Sequence, residues 1–443
     1  MGRISGTKEL NIWMNGVLLG CWKLLKNGQY QFNYYDSWLE SPACRPLSLS
    51  LPLQPANLAY KGAVVESYFD NLLPDSDIIR KRLQSRFGTP SIQAFHLLEE
   101  IGRDCIGAIQ LLPADVQQKN IEEITGESID EKDIERILAS IPSQSRFSTL
   151  NKDDFRISIA GAQEKTALLY HHGAWQIPHG TTPSTHIFKL PIGQLPSIDL
   201  STSLENEWLC SKIVEAYGIE VAQTQLAHFG NQKALIVKRF DRKPSADSSW
   251  IMRIPQEDMC QATGTSSGFK YEADGGPGTI EIMRLLLGSK KMTDDRYKFM
   301  KTVLLFWLLA APDGHAKNFS IFLERKGEYF LTPMYDILSI YPVMGQGKNK
   351  IPWQKLKMAM GVWGKNKHYD WNNIFPHHWL ETAKKAGMNS KIMIQILDEI
   401  ITSTPEVILK VQNLIPKKYP LELADSILLG VQKAVKIIKE RMG

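Results

Sequence analysis

The segment Asp313-Gly-His-Ala-Lys-Asn318 sets a carboxylate and an amide five residues apart, directly after an apolar run that ends at Pro312. Residues 319–323 and 329–332 then read as two strands joined by a turn at 324–327, and Tyr335-Asp336 follows. Helix, Asp-x4-Asn, hairpin, Asp is an order that suits phosphoryl transfer. One Asp accepts the proton of an attacking hydroxyl, while the Asn and the second Asp hold a metal ion that neutralises phosphate charge. Mg²⁺ takes oxygen ligands from one or two carboxylates plus phosphate and water, a set that Asn318 and Asp336 provide. Asp-Gly is also an ordinary turn pair, so the spacing gains its force from the hairpin and the second Asp. His315 reads as a packed or hydrogen-bonded loop residue, since Asp313 is better placed as the base.

Two upstream segments extend the pattern. In residues 154–165, a strand, a turn and a second strand enclose Ala160-Gly161-Ala162-Gln163. Small residues there let backbone N–H groups approach phosphate oxygens. The segment matches neither a Walker A loop nor G-x-G-x-x-G, and a plain hairpin accounts for it equally well. Lys189 alternates with Ile187 on a strand. A lysine so placed neutralises nucleotide phosphates when a carboxylate on the next helix holds it, and Glu205 and Glu207 open such a helix. Each feature is weak alone. Small-residue loop, strand Lys, helix Glu, strand and connector, helical block, Asp-x4-Asn and Asp in this order is not a pattern chance readily produces.

Positioning these groups calls for a strand-rich block followed by a helix-rich one. Residues 10–14 and 17–22 flank Asn15-Gly16 as a hairpin. Leu47, Leu49 and Leu51 alternate with serines as a half-buried strand or extended segment. A helix is expected over 91–101 and a strand over 106–112. The polar stretch 116–150 reads as a linker with one weak helix at 131–141. Strands follow at 155–159, 165–170, 185–190 and 234–240, with a helix at 204–217 and a turn at 228–231. Helices then dominate, at 280–287, 295–311, 379–386, 390–402, 405–413 and 421–441. The expected division is 1–115 (β-rich), 116–150 (linker), 151–243 (nucleotide-binding part) and 244–443 (helical, with the catalytic and metal-binding loops).

Composition bounds the rest. With 443 residues, 43% hydrophobic and 22% charged, the chain has room for two or three globular domains. Five dispersed cysteines without a CxxC pair argue against a disulfide framework or a structural zinc site. The longest wholly apolar run has nine residues, 303–311, where a membrane span needs about 20. There is no hydrophobic stretch of a signal peptide at the start, and Gly at position 6 breaks a myristoylation motif. The expectation is a reduced, soluble, cytoplasmic protein. The net charge is +5, but residues 345–443 hold 16 Lys+Arg against 8 Asp+Glu. Lysines 348, 350, 355, 357, 365 and 367 come without an acidic residue between them. The run reads either as a footprint for phosphate backbones or as a solvated loop.

The chain resembles the HipA toxin kinases of bacterial type II toxin–antitoxin modules. The resemblance covers nearly its whole length and rests on residues 45–53 (RPLSLSLPL), 69–75 (FDNLLPD), 101–104 (IGRD), 155–168, 255–261 (PQEDMCQ), 274–278 (DGGPG), 313–318 and 335–337. It implies an α+β, protein-kinase-like bilobal core related to lipid kinases, with an N-terminal β-rich subdomain and a mostly helical C-terminal lobe. It implies an ATP- and Mg²⁺-dependent serine/threonine-protein kinase acting on glutamyl-tRNA synthetase, which inhibits translation and growth and produces persistence. Its partner would be a HipB-like helix-turn-helix antitoxin, with which it acts as corepressor on operator DNA at the nucleoid. Carried over by residue, Asp313 is the base, and Asn318 and Asp336 are the Mg²⁺ ligands. Lys189 meets the ATP phosphates. Ala160, Gly161, Ala162, Gln163, His315 and Lys317 line the nucleotide site. Lys238 and Phe240 belong to a hinge that meets adenine through backbone atoms, and Ser158 is the autophosphorylated residue. The alternatives are a small-molecule phosphotransferase and a catalytically idle corepressor.

Overall fold

Asn15 and Gly16 turn the chain with φ of 47° and 79°, the two positive values that a type I′ hairpin requires. The strands on either side, Lys8–Met14 and Val17–Leu24, pair from Met14↔Val17 to Lys8↔Leu24 with one bulge at Ile12/Trp13. They form the centre of a five-stranded sheet completed by Tyr30–Tyr34, Tyr60–Lys61 and, on the far edge, Ile109–Pro113. Period-two alternation buries Leu10, Ile12 and Met14 on one face. Helices Ala63–Asp70 and Ala94–Ile101 contribute to the same core, where Trp22 stacks on Phe69 with centroids 3.9 Å apart. Burying each such large side chain contributes about 1.5–3 kcal/mol.

Residues 47–51 are a tight turn rather than the expected extended segment. Leu51 N donates to Ser48 O at 3.1 Å. Tyr34 decides this: its phenol accepts from Leu47 N at 2.7 Å and donates to Leu51 O at 2.5 Å. Backbone groups that a strand would pair laterally are satisfied by one side chain, and both leucines are still buried.

The computed structural model describes residues 7–118, 121–142, 159–161, 163–196 and 198–442. The stretch expected as a linker contributes a strand and a helix. Gly126–Ile129 pairs with Ala174–Pro178. Helix Glu131–Ser140 starts at a capping box, in which the Asp130 carboxylate accepts from Asp133 N at 2.8 Å. Its Ile134, Ile137 and Leu138 join Leu168 and Phe188 in a second core. The sheet over that core has the order Thr224–Phe229, Gln232–Lys238, His186–Lys189, Lys165–His171, Ala174–Pro178, Gly126–Ile129. Most of the strand expected at 155–159 lies outside the described residues.

Two compact units interleave along the chain. The first takes Met1–Leu190, Ala227–Gly268 and Ser320–Tyr329, with both sheets; the second takes Pro191–Leu226, Phe269–Phe319 and Phe330–Gly443. Within the second, helix Met292–Leu308 carries the buried apolar run. Trp307 and Trp371 exchange hydrogen bonds, each indole N–H donating to the other's backbone carbonyl at 2.9 and 2.8 Å. The two helices expected on either side of Pro405 are one, Ser390–Leu414. Proline removes the donor to the carbonyl four residues back, but Ile396, Leu397, Ile400, Val407, Ile408 and Val411 bury a continuous stripe across it. The lysine-rich stretch contains a hairpin, Lys357–Trp363 with Lys367–Asp370. Its Trp363 ring lies under the ammoniums of Lys367 and Lys385, 5.0 and 4.8 Å from the centroid. Among the described residues no helix is long and apolar enough to cross a membrane.

Candidate active site

Asp313 follows the apolar helix by way of a sharp turn, in which Ala310 takes φ 45° and Ala311 N returns to Phe306 O at 2.8 Å. Gly314 is required there, because a Cβ would come within 2.6 Å of the Phe306 ring. The Asp313 side chain is 58% exposed, and His315 Nε2 stands 3.7 Å from its Oδ1. Its second neighbour is Tyr271, whose hydroxyl donates to the same Oδ1 and whose ring meets the His315 ring edge-on at 5.1 Å. Ala316 N donates to Lys270 O at 3.2 Å, so backbone pairing holds that tyrosine in place.

Asn318 ends a 3₁₀ turn, Ala316–Asn318, and is 2% exposed. Its Nδ2 donates to the backbone carbonyl of Asp336 at 3.0 Å, and Tyr335 Oη donates to Lys317 O at 2.8 Å. The Asp-x4-Asn loop and the second Asp, 18 residues apart in sequence, are thereby adjacent. Asp336 sits in the left-handed region at φ 61°, uncommon for a non-glycine residue and concentrated at functional sites. The chain after it is fastened by Ser339, which exchanges backbone hydrogen bonds with the Asn206 amide (2.7 and 2.9 Å) and donates its hydroxyl to Leu309 O at 2.6 Å. With Nδ2 engaged, Asn318 Oδ1 is the atom available to a cation. An amide oxygen and a carboxylate fit Mg²⁺. Among the described residues no three His, Cys, Asp or Glu groups stand together as a metal cage, as a closed zinc site would need.

Ala160, Gly161, Gln163, Lys189, Lys238 and Phe240 lie in the first unit. Lys189 is 6% exposed, on the central strand of the second sheet. Its register partners are Leu235 on one side and Lys165 on the other. Lys165 Nζ donates to Ala160 O at 2.7 Å. Gly161, at φ 112°, receives Asp75 N on its carbonyl at 3.1 Å. Gln163 donates its amide to Leu190 O. Lys238 is exposed at the end of its strand, and the Phe240 ring meets Phe322 edge-on at 5.8 Å. Ser158 and Ala162 lie outside the described residues. Glu205 and Glu207 are buried in helix Ser203–Ala216 of the second unit.

Sequence reasoning missed Tyr271, Asn206, Ser339 and Lys165. The first three reach the site through turns and helix ends without a spacing rule. Lys165 was legible as a strand residue, but its pairing with Lys189 depends on register.

Comparison with known proteins shows the family and the fold. The model of the HipA-like C-terminal domain matches residues 157–408, and that of the HipA N-terminal domain matches residues 10–112. The chain is 29% identical to Y4mE of Sinorhizobium fredii, over 91% of this chain and 92% of that protein. It is 26% identical to the serine/threonine-protein kinase toxin HipA of Shewanella oneidensis, over 87% and 85%. The Shewanella oneidensis HipA solved with HipB and operator DNA superposes with TM-score 0.79 at 22% identity, covering 98% of this chain and 97% of that one. The α+β, kinase-like fold is thereby the one expected.

Proposed function

Because the chain belongs to the HipA family, we propose that it is a serine/threonine-protein kinase toxin that moves the γ-phosphate of ATP to a protein hydroxyl. Asp313 accepts the proton of the acceptor hydroxyl as its oxygen bonds to the γ-phosphorus. The bond from that phosphorus to the β,γ-bridging oxygen breaks, and ADP leaves with the electron pair. Asn318 and Asp336 hold Mg²⁺, which supplies charge neutralisation when bound. Lys189 pairs with the phosphates, and the backbone of 160–163 lies along them. Residues 238–240 meet adenine through main-chain atoms. His315 and Lys317, buried in the turn between base and amide, complete the nucleotide side of the loop.

The observation that carries this reading is the 3.0 Å bond from the Asn318 amide to the Asp336 carbonyl, with Asp313 five residues before that amide. The experiment is incubation with γ-labelled ATP and Mg²⁺, wild type against Asp313→Gln. Label on protein from the wild type alone is the expected result. Equal label from the variant removes Asp313 from its role.

The acceptor, by resemblance, is glutamyl-tRNA synthetase, and the chain also phosphorylates itself at Ser158. A phosphate there adds about −1.5 to −2 charge two residues before the small-residue turn, repelling nucleotide and silencing the enzyme. A HipB-like antitoxin is its partner, and with it the chain sits on operator DNA as corepressor. The exposed lysines 348, 350, 355 and 357 support proximity to a phosphate backbone.

A further inference from the structure

We propose that Asp104 is a positioning residue for nucleotide binding, a single carboxylate in the N-terminal domain that clamps the ends of the two strands bearing Lys189 and Lys238. The inference rests on the kinase reading of those strands. Asp104 follows helix Ala94–Ile101 of the first sheet's core and is 5% exposed. Its Oδ2 accepts from Ser184 Oγ at 2.6 Å and Ser184 N at 3.1 Å. The same oxygen accepts from Arg239 Nη1 at 3.3 Å. Its Oδ1 accepts from Arg242 Nη2 at 3.0 Å and from Arg253 Nη2 at 3.2 Å.

Ser184 stands two residues before strand His186–Lys189, and Arg239 one residue after strand Gln232–Lys238. These strands are paired, with His186 opposite Lys238, and Arg239 N donates to Thr185 O at 2.9 Å just beyond the ladder. Arg239 is itself fixed on both faces. It donates to Asp241 at 3.0 and 2.8 Å, to Cys105 O at 2.8 Å and to Ser184 Oγ at 3.0 Å. Arg242 donates to the carbonyls of Gly107 and Cys105, each at 2.8 Å. Asp241 in turn accepts from Gly107 N at 2.8 Å.

Three guanidiniums and two carboxylates are thus buried together, each side chain at most 7% exposed. Burial acts to raise the Asp104 carboxyl pKa, but Arg242, Arg239, Arg253 and the Ser184 hydroxyl outweigh it and hold the group ionised well below the usual range. Such a network has one geometry, because moving any member strands a buried charge. A change at Asp104 therefore reaches Lys189 through Ser184 and Lys238 through Arg239, at both ends of the expected nucleotide.

The test is titration of the full-length protein with a fluorescent ATP analogue, together with KM for ATP, kcat and thermal melting. Ser184→Ala removes the hydroxyl's bond to Asp104 and the Arg239 bond to that hydroxyl, and it leaves the Ser184 N–H bond and the arginine–carboxylate pairs. It is expected to weaken nucleotide binding and raise KM by roughly tenfold, the lower end of the worth of a hydrogen bond to a charged group, with kcat within twofold. Asp104→Asn should lose more, and Ser184→Ala decides the matter where Asp104→Asn does not fold. Ile12→Val thins the first sheet's core away from the clamp and should lower the melting temperature without moving KM. Wild-type affinity retained in folded Ser184→Ala would overturn the clamp and leave the kinase reading standing. A wild type that binds no ATP analogue would overturn the kinase reading, and the clamp with it.

Discussion

Lys165 and Lys189 stand directly opposite each other on adjacent antiparallel strands, so their side chains share one face of the sheet. Facing like charges destabilise a strand pair. Here Lys165 turns its ammonium to Ala160 O and tethers the small-residue turn. The two lysines therefore separate in effect. Lys189→Met should weaken ATP binding by about tenfold or more, while Lys165→Met should weaken it less and relieve the repulsion. Calorimetric titration with ATP and a melting curve of each variant check this: the Lys165→Met melting temperature should equal or exceed that of the wild type.

The Tyr271 hydroxyl lies on Asp313, at the oxygen an acceptor hydroxyl would need. Tyr271→Phe uncovers that oxygen and should raise transfer to protein by up to about fivefold, the worth of one hydrogen bond of about 1 kcal/mol. Asp313→Asn should lower transfer by roughly 10²–10⁴ and leave the melting temperature unchanged, because the side chain is more than half exposed. Labelled-phosphate transfer at saturating ATP measures both.

Asn318→Leu removes the proposed oxygen ligand together with the bond to the Asp336 carbonyl. Transfer should fall steeply, with a raised Mg²⁺ requirement, and chelation of Mg²⁺ should stop wild-type transfer. Activity measured against Mg²⁺ concentration would reject the ligand role if both proteins saturated at the same level.

Glu257 is wholly buried in the first unit, where Oε1 accepts from Leu49 N at 2.9 Å and Oε2 finds no hydrogen-bond partner among the described residues. Burial pushes its carboxyl up to about 8, against the lowering effect of the Ser48 hydroxyl and Leu49 N–H. The folded state thus holds a proton that the unfolded chain releases near pH 4.3. That stability is full below the unfolded value and is lost as pH rises to about 8, at about 1.4 kcal/mol per pH unit at most. Glu257→Gln mimics the protonated form and should flatten the urea-unfolding profile between pH 5 and 8. A slope unchanged in the variant would dismiss Glu257 as its source.

Lys348, Lys355 and Lys357 are exposed beside the Lys357–Trp363 hairpin. Replacing all three with Gln should reduce the salt dependence of operator binding by the proposed complex with antitoxin, by about 0.9 in log–log slope for each phosphate no longer neutralised. An identical slope would mark the run as a solvated surface.

What could be read along the chain was what depends on neighbours a few residues apart. Asn15-Gly16 announces its hairpin, the apolar run of residues 303–311 its helix, and Asp313 and Asn318 their common loop, because turn angles, periodicity and spacing are local quantities. Tertiary contact decided the rest. Tyr34 folds the alternating leucines of 47–51 into a turn. Buried neighbours carry a helix through Pro405, and the segment read as a linker gains a strand by pairing with residues 174–178. Asn318 bonds directly to the Asp336 carbonyl while Ser339 and Asn206 fasten the chain beyond it, and Asp104 meets three arginines more than 130 positions away. Such pairings are set by which buried charge or donor finds its partner on folding, and that choice depends on distance in space, which residue order does not encode.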